Sequence, residues 1–410
     1  MRKKVKKRVP ELRFSEFHGD WLTDRTDHFL ARHANPVDVQ LETAYKQIGI
    51  RSHGKGIFHK DSVTGEALGN KRVYWVHPEA FTVNIVFAWE QAVALTSSAE
   101  EGYIASHRFL MFLPKYNKVD LKFVLLFFLR KRGKYLLELA SPGGAGRNKT
   151  LGLDSFAELE ITLPQREEQE KIAGFLGAVD ARLTQLRCKR DRLQTYKRGV
   201  MQKIFSQQIR FRGAIGLDFP DWEKKKLEDI FKRVTSKNIE NNTNVLTISA
   251  QYGLINQMDF FNKSLAANDL TGYSLLKHGD FAYNKSYSNG YPMGAIKRLN
   301  IYDKGIVSSL YICFTNPNEI ESRFYEQYFD GGFLNHELNK IAQEGARNHG
   351  LLNMSIVEFF KDISIDRPTI KEQEKIANFL TAIDRKIEAI SRQIDRTEQF
   401  KKGLLQKMFV

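Results

Sequence analysis

The octapeptide Gly143-Gly-Ala-Gly-Arg-Asn-Lys-Thr150 comes closest in this chain to a reactive motif. A phosphate-cradling loop reads G-x-x-x-x-G-K-[ST], and only Asn148 departs from it, standing where the second glycine belongs. That glycine lets the backbone wrap a phosphate, and the lysine must open a helix directly after the loop. Here the following helix is expected to begin only at Pro164. A related segment, Gly345-Ala-Arg-Asn-His-Gly350, keeps Arg-Asn and drops Lys-Thr. The expected chemistry is therefore contact with nucleic acid by Arg147, Asn148 and Lys149, and by Arg347, Asn348 and His349. Nucleotide hydrolysis is the weaker reading, and a purely structural turn is the remaining rival.

No other group of residues predicts catalysis. Histidines 28, 33, 53, 59 and 77 lack metal-ligand spacing, and H-E-x-x-H is missing. There is no Gly-rich cofactor loop and no Asn-Pro-Pro-Tyr or Asp-Pro-Pro-Tyr motif of the kind amino-methyltransferases use. Asp154 with Glu158 and Glu160 offers paired carboxylates, but a helix or strand surface explains them. The chain is expected to carry no catalytic residue, no metal and no cofactor of its own.

What remains is charge. Lys and Arg number 63 against 48 Asp and Glu, a formal net charge of +15, which favours a polyanionic partner. Basic stretches that could meet bases or phosphates are Arg51 with Lys55, Lys71-Arg72, Lys285-Ser286-Tyr287 and Lys297-Arg298. Solvated surface charge is the alternative fate of each. Trp89 and Tyr283 are read as matching positions, in the core or lining a contact surface. Met1 to Arg8 is a basic arm without the apolar stretch of a secretory signal. The most apolar run, Phe123 to Leu129, is far below the ~20 residues that span a bilayer, so no membrane partner is expected. Cys188 and Cys313 suggest neither disulfide nor zinc, which fits a reducing cytoplasm.

The elements that would position these residues are duplicated. Glu168-Gln-Glu-Lys-Ile-Ala-Gly-Phe-Leu is answered 204 residues later by Glu372-Gln-Glu-Lys-Ile-Ala-Asn-Phe-Leu, within a chain of 410. Lys197-Arg-Gly-Val-Met-Gln-Lys-Ile-Phe205 and Lys401-Lys-Gly-Leu-Leu-Gln-Lys-Met-Phe409 keep that offset. Leu12-Arg-Phe14 with Trp21 is echoed by Ile209-Arg-Phe211 with Trp222. This period exceeds that of a solenoid and means a duplicated domain plus helix. Between the repeated ends lie strand-like runs: Lys71–Val76, Phe81–Phe87, Val245–Ser249 and Ile306–Phe314. Phe87-Ala-Trp89 is aligned with Phe281-Ala-Tyr283. Like ends imply one docking task done twice; unlike middles imply two different ligands.

Each repeat closes on a long helix, with Pro164 and Pro368 suited to the first helical position and glutamates near the positive helix end. Ile172, Leu176, Val179, Leu183, Leu186, Leu193, Val200 and Ile204 alternate steps of four and three, interrupted by Arg190 and Lys197. Ile376, Leu380, Ile383, Ile387, Ile390, Ile394, Leu404 and Met408 do the same around Thr397 and Lys401. That spacing is a coiled-coil seam, and two seams in one chain can bury each other in an antiparallel pair. A helix of ~40 residues is ~60 Å long, so such a pair could hold two heads ~35–50 Å apart, about 10 to 15 base pairs.

Together the duplicated Glu-Gln-x-Lys-Ile-Ala-x-Phe-Leu helices and the Leu12-Arg-Phe and Ile209-Arg-Phe openings resemble the specificity (S) subunit of type I restriction-modification enzymes. The resemblance implies an α+β fold: two α/β target-recognition domains separated by two long conserved helices in an antiparallel intramolecular coiled coil, with pseudo-two-fold symmetry. The expected divisions are an opening arm at 1–25, heads at 26–162 and 207–366, and helices at 163–206 and 367–410. It implies a non-catalytic subunit reading a bipartite target in double-stranded DNA. It also implies docking of two methyltransferase (modification) subunits and of restriction (helicase-nuclease) subunits, which would carry S-adenosylmethionine, ATP and Mg. A nucleic-acid-binding coiled-coil scaffold without sequence specificity is the alternative.

Overall fold

The computed structural model describes residues 9–143, 149–213, 216–249, 253–261, 269–287, 290–342 and 352–410. The chain forms two units, Met1–Arg187 with Arg392–Val410, and Cys188–Ser391. The division runs through both long helices, Arg166–Phe205 and Ile370–Lys407, so each unit holds one part of each.

In the first unit, Leu22–Arg25 pairs antiparallel with Glu160–Leu163, tying the opening segment to the strand that leads into the long helix. One four-stranded antiparallel sheet has the order Leu30–His33, Phe109–Pro114, Phe81–Asn84, Val93–Leu95. A second has the order Ile57–Thr64, Ala44–Ile50, Ile104–Ser106, Val73–Trp75, with a parallel step between Gln47 and Ile104. Helices Leu121–Leu129 and Lys131–Leu139 follow. The first of them buries Phe123, Val124, Phe127 and Phe128, and Phe128 stacks on Phe81 at 5.5 Å.

The second unit repeats this plan. Glu223–Lys226 pairs with Ser364–Arg367. Its four-stranded sheet has the corresponding order Lys232–Arg233, Ile312–Thr315, Phe281–Asn284, Ala295–Arg298. The other sheet is thinner: hairpin Leu246–Ser249 with Gly253–Asn256, and pair Ser274–Lys277 with Lys304–Val307, meet through one parallel bridge between Val245 and Ile306.

Three expectations from the sequence are corrected. The run Ile306–Phe314 is two strands, because the chain turns over 308–311 and the halves join different sheets. Phe281–Asn284 corresponds in sheet order to Phe81–Asn84, whereas Trp89 lies in a short 3-10 turn, Ala88–Glu90, so Trp89 and Tyr283 are not matched. Finally, the long helices begin at Arg166 and Ile370, two residues beyond Pro164 and Pro368. These prolines instead offer their carbonyls to the Gln169 and Gln373 side-chain amides, each at 2.8 Å.

Within each unit the helix segments pair through the seam. Ile172, Leu176, Leu183, Leu186, Leu404 and Met408 are buried in the first unit and Val179 is half-buried. Ile394 is buried there too. Ile204, Ile376, Leu380, Ile383 and Ile390 are buried in the second, with Leu193, Val200 and Ile387 half-buried. In the first unit Asp180 meets Lys401 at 2.6 Å and Arg187 meets Glu398 at 2.6 Å. Numbering rises on one helix as it falls on the other, so the pairing is antiparallel. Lys197 meets Asp384 at 2.7 Å in the second unit. Lys197 and Lys401, which interrupt the heptads, are thus each ion-paired with an aspartate of the facing helix, Asp384 and Asp180, a means of fixing register.

Candidate nucleic-acid interface

The frame that carries the heads is locked by the same arginine–glutamate and ring contacts in both units. Arg13 donates to both carboxylate oxygens of buried Glu168 at 2.8 and 2.7 Å, and Arg210 does the same to Glu372 at 3.1 and 2.8 Å. Phe14 meets Phe175 edge-on at 5.8 Å, and Phe211 meets Phe379 at 5.6 Å. The repeated Arg-Phe opening is therefore a clamp on its own repeat's helix. Each helix end, in turn, plugs the unit holding the other repeat's head. Phe409 packs on Phe123 at 4.9 Å and Trp21 at 6.4 Å; Phe205 packs on Phe324 at 5.5 Å and Tyr328 at 5.3 Å. From the sequence the glutamates read as helix-dipole partners; their burial against arginine has no local signature.

On this frame the first unit raises a basic edge. Strand Ala44–Ile50 ends at Arg51, and a turn containing Lys55 returns into Ile57–Thr64. The tip is pinned: His53 and Gly54 donate backbone N–H groups to the Glu90 and Gln91 carbonyls at 2.7 and 3.0 Å. His53, Gly54 and Gly56 all have positive φ, which two glycines meet at no steric cost. Register puts Lys71 and Arg72 at the same end of the sheet, because Val73 pairs with Ser106 and the Ile104–Ser106 strand runs parallel to Ala44–Ile50. Arg108 sits at the turn that follows, beside His107, whose N–H reaches the Arg72 carbonyl at 3.0 Å. Two strand spacings separate Arg51 from Arg72, roughly 10 Å. Arg51, Lys55, Lys71, Arg72 and Arg108 are all exposed, and among the described residues none of them makes an ion pair.

An aromatic platform adjoins this edge. Gly49 lies opposite Phe58, and a Cβ at Gly49 would run into the Phe58 ring. The missing side chain lets Phe58 lie across the strand. Arg51 stacks over that ring at 4.7 Å and Lys60 approaches it at 6.0 Å. Arg108, Phe58 and Lys60 were not legible as a group, since strand register alone assembles them.

Other expected contacts fare differently. Lys149 is half-buried, paired with Glu138 at 2.6 Å and set over Trp89 at 5.5 Å, so its charge is already engaged. Lys297 and Arg298 are buried in strand Ala295–Arg298 and do not form a loop contact. Lys297 pairs with Asp330 at 2.6 Å, and Arg298 donates to the Gly279 carbonyl at 3.2 Å with Glu326 at 3.9 Å. Beyond strand Phe281–Asn284, Lys285 and Ser286 are half-buried and Tyr287 is 66% exposed, open to a ligand. Arg147, Asn148, Arg347, Asn348 and His349 lie outside the described residues.

In the second unit the positions that match Lys71, Arg72 and Arg108 by strand register are Thr271, Gly272 and Leu310. The same sheet end thus presents a different surface. Among the described residues no group of His, Cys, Asp and Glu could hold a metal. Burial pushes the Cys313 thiol up to about 12, keeping it protonated, while Cys188 is exposed and free. No described helix is long and apolar enough to cross a membrane.

Residues 60–192 and 220–399 match the family described as type I restriction modification DNA specificity domain. The chain is 24% identical over 437 residues to the type I restriction enzyme MjaVIII specificity subunit of Methanocaldococcus jannaschii, covering 96% of this chain and 94% of the relative. Among solved structures it is similar to the S subunit of a type I restriction-modification system from M. genitalium, at 13% identity and a TM-score of 0.55, covering 98% and 99% of the two chains. A structure described as the basis of complex assembly and conformational transition of the type I R-M system aligns at 16% identity and TM-score 0.53, covering 95% and 96%. These two likenesses are of fold.

Proposed function

Since the chain belongs to the type I restriction modification DNA specificity family, and so recognises DNA as a specificity subunit and not as a catalyst, we propose that it reads a bipartite target. Each unit takes one half-site, and the paired helices set the spacer. The observation that carries this is the unmatched sheet end: of the exposed cations in the first unit, Lys71, Arg72 and Arg108 are answered by Thr271, Gly272 and Leu310 at matching places in the second. Such cations neutralise phosphates and, as arginines, can grip guanine edges bidentately. One frame with two surfaces suits two unlike short sequences. The repeated clamps and helices offer two like docking surfaces for two methyltransferase subunits, to which restriction subunits add. S-adenosylmethionine, ATP and Mg belong to those partners.

Selection from random duplexes by the full chain, assembled with a methyltransferase partner, tests this. Two short specified segments at constant separation are expected; a single contiguous motif or none overturns the reading. Replacing Arg51, Arg72 and Arg108 together with Ala should degrade one half-site only. It should also lower the salt slope by roughly one for each phosphate no longer neutralised. Seven residues added to each helix, in register, should lengthen the spacer by ~10 Å, about 3 base pairs.

A further inference from the structure

A groove of about 650 Å³ opens in the first unit, where the end of helix Leu121–Leu129 faces the two long helices. Leu126, Leu129, Leu183 and Leu405 supply its apolar floor. Six cations line it against two carboxylates, and both carboxylates are already taken: Asp180 by Lys401 and Glu398 by Arg187. Arg130, Lys131, Arg132 and Lys402 are left without an ion pair among the described residues. Arg130 lies over the Phe409 ring at 4.5 Å, and one of its guanidinium nitrogens is buried with no acceptor. Burial pulls that guanidinium down to about 10, the mark of a cation lacking a counter-charge.

The second unit does not carry the three cations of 130–132 at the matching place. The contacts Trp21–Phe123 at 6.0 Å and Trp222–Phe324 at 6.1 Å superpose the two sequences, which puts Gly331, Gly332 and Phe333 where Arg130, Lys131 and Arg132 stand. Phe333, at the place of Arg132, packs on the plug residue Phe205 at 4.5 Å, so the second unit covers its plug with an aromatic ring where the first covers Phe409 with the Arg130 guanidinium. The run of cations at 130–132 is thus a departure from the repeat, at a place where both units otherwise pack alike.

We propose that this groove holds an acidic amphipathic segment of a protein partner, bound through the first unit. The surplus cations call for carboxylates, and the four leucines call for apolar side chains. A DNA backbone would satisfy the first demand and leave the second unmet, because it offers phosphates and no apolar face. The proposal rests on the reading that this subunit assembles with protein partners, and it adds that its two like docking surfaces are supplemented by one unlike site.

The test uses the intact chain and a labelled helical peptide of ~14 residues, ~20 Å long, with glutamates on one face and leucines on the other. Binding is read by fluorescence anisotropy. The acidic peptide should bind, and a lysine–leucine peptide of equal length should not. Arg132→Glu with Lys402→Glu should weaken binding at least tenfold, and Arg132→Phe, which introduces the side chain found in the second unit, should weaken it as well. If the Glu variants unfold, Arg132→Gln with Lys402→Gln gives the same test at smaller charge cost. Binding that survives these substitutions overturns the proposal. So does displacement of the peptide by a short DNA duplex whose own affinity falls with the same substitutions, because the groove would then serve phosphate. Co-purification with a methyltransferase subunit is scored separately, so a failed groove and a failed assembly are told apart.

Discussion

Arg13 in the first unit and Arg210 in the second each fork onto a buried glutamate, and Phe409 and Phe205 each plug an aromatic core. Arg72 and Arg108 at the first unit's sheet end, by contrast, correspond to Gly272 and Leu310 in the second. In these pairs the likeness is kept where charge or a large ring is withdrawn from water, and absent where side chains face solvent. A buried arginine deprived of its carboxylate is strongly destabilising. A solvated lysine can be replaced at almost no cost to folding. Divergence is therefore free at the exposed sheet end, and the frame beneath stays fixed.

The comparison can be tested first at the plugs. Phe409→Ala and Phe205→Ala each delete a ring from a filled core and should cost about 3–5 kcal/mol. Hydrogen exchange should report the loss for Phe409→Ala in the first unit and for Phe205→Ala in the second. Unchanged protection around Trp21 in Phe409→Ala would deny the plug its role.

The clamps come next. Glu168→Gln and Glu372→Gln should each cost about 3 kcal/mol in urea unfolding, by leaving a part-buried guanidinium uncompensated. Here the units part company, because Glu372 also accepts from the Trp222 indole N–H at 3.1 Å, whereas the Trp21 indole nitrogen has no partner. The second unit should lose about 1 kcal/mol more; equal losses would count against that asymmetry.

Smaller effects belong to the seam ion pairs. Asp180 and Lys401 are partly exposed, so Lys401→Ala should cost only about 0.5–1 kcal/mol. Exchanging the two, Asp180→Lys with Lys401→Asp, should restore most of that loss, as a double-mutant cycle would measure. No recovery would mean that the pair does not help set register.

The smallest effect is one of sign. Burial works upward on the Glu100 carboxyl in the first unit, but hydrogen bonds from Ser97 and His59 outweigh it and hold the group below its ordinary range. Asp280 in the second unit is held above that range by burial. A lowered folded value contributes stability above the unfolded pKa, lost as pH falls through the folded one. A raised value contributes stability below the unfolded pKa, lost as pH rises through the folded one. Wild type should therefore lose stability relative to Glu100→Gln below about pH 4, and relative to Asp280→Asn above about pH 4. Urea titrations across that window that moved both differences in one direction would remove the contrast.

Much of the frame was legible because it is written twice. Glu168-Gln-Glu-Lys-Ile-Ala and its copy at Glu372 mark one set of interactions made in two places, and the heptads announce paired helices before any fold is known. The surface was far less legible. Lys297-Arg298 looks like an exposed basic pair, yet both residues are drawn into a strand by Asp330 and Glu326. Arg108 has no motif around it and joins Arg51 and Arg72 only because three strands bring their ends together.

Periodicity and repetition are properties of near neighbours along the chain, so the amino-acid order by itself determined the duplication, the two long helices, their apolar seams and the excess of positive charge. Only the tertiary structure decided which glutamates are buried, which cations remain unpaired, and that a phenylalanine ending one repeat closes the head of the other. Those outcomes depend on groups far apart in the chain, as Trp21 and Phe409 are before they meet ring to ring. No local pattern encodes such a meeting, because burial and pairing are settled by what the folded chain places within a few ångströms.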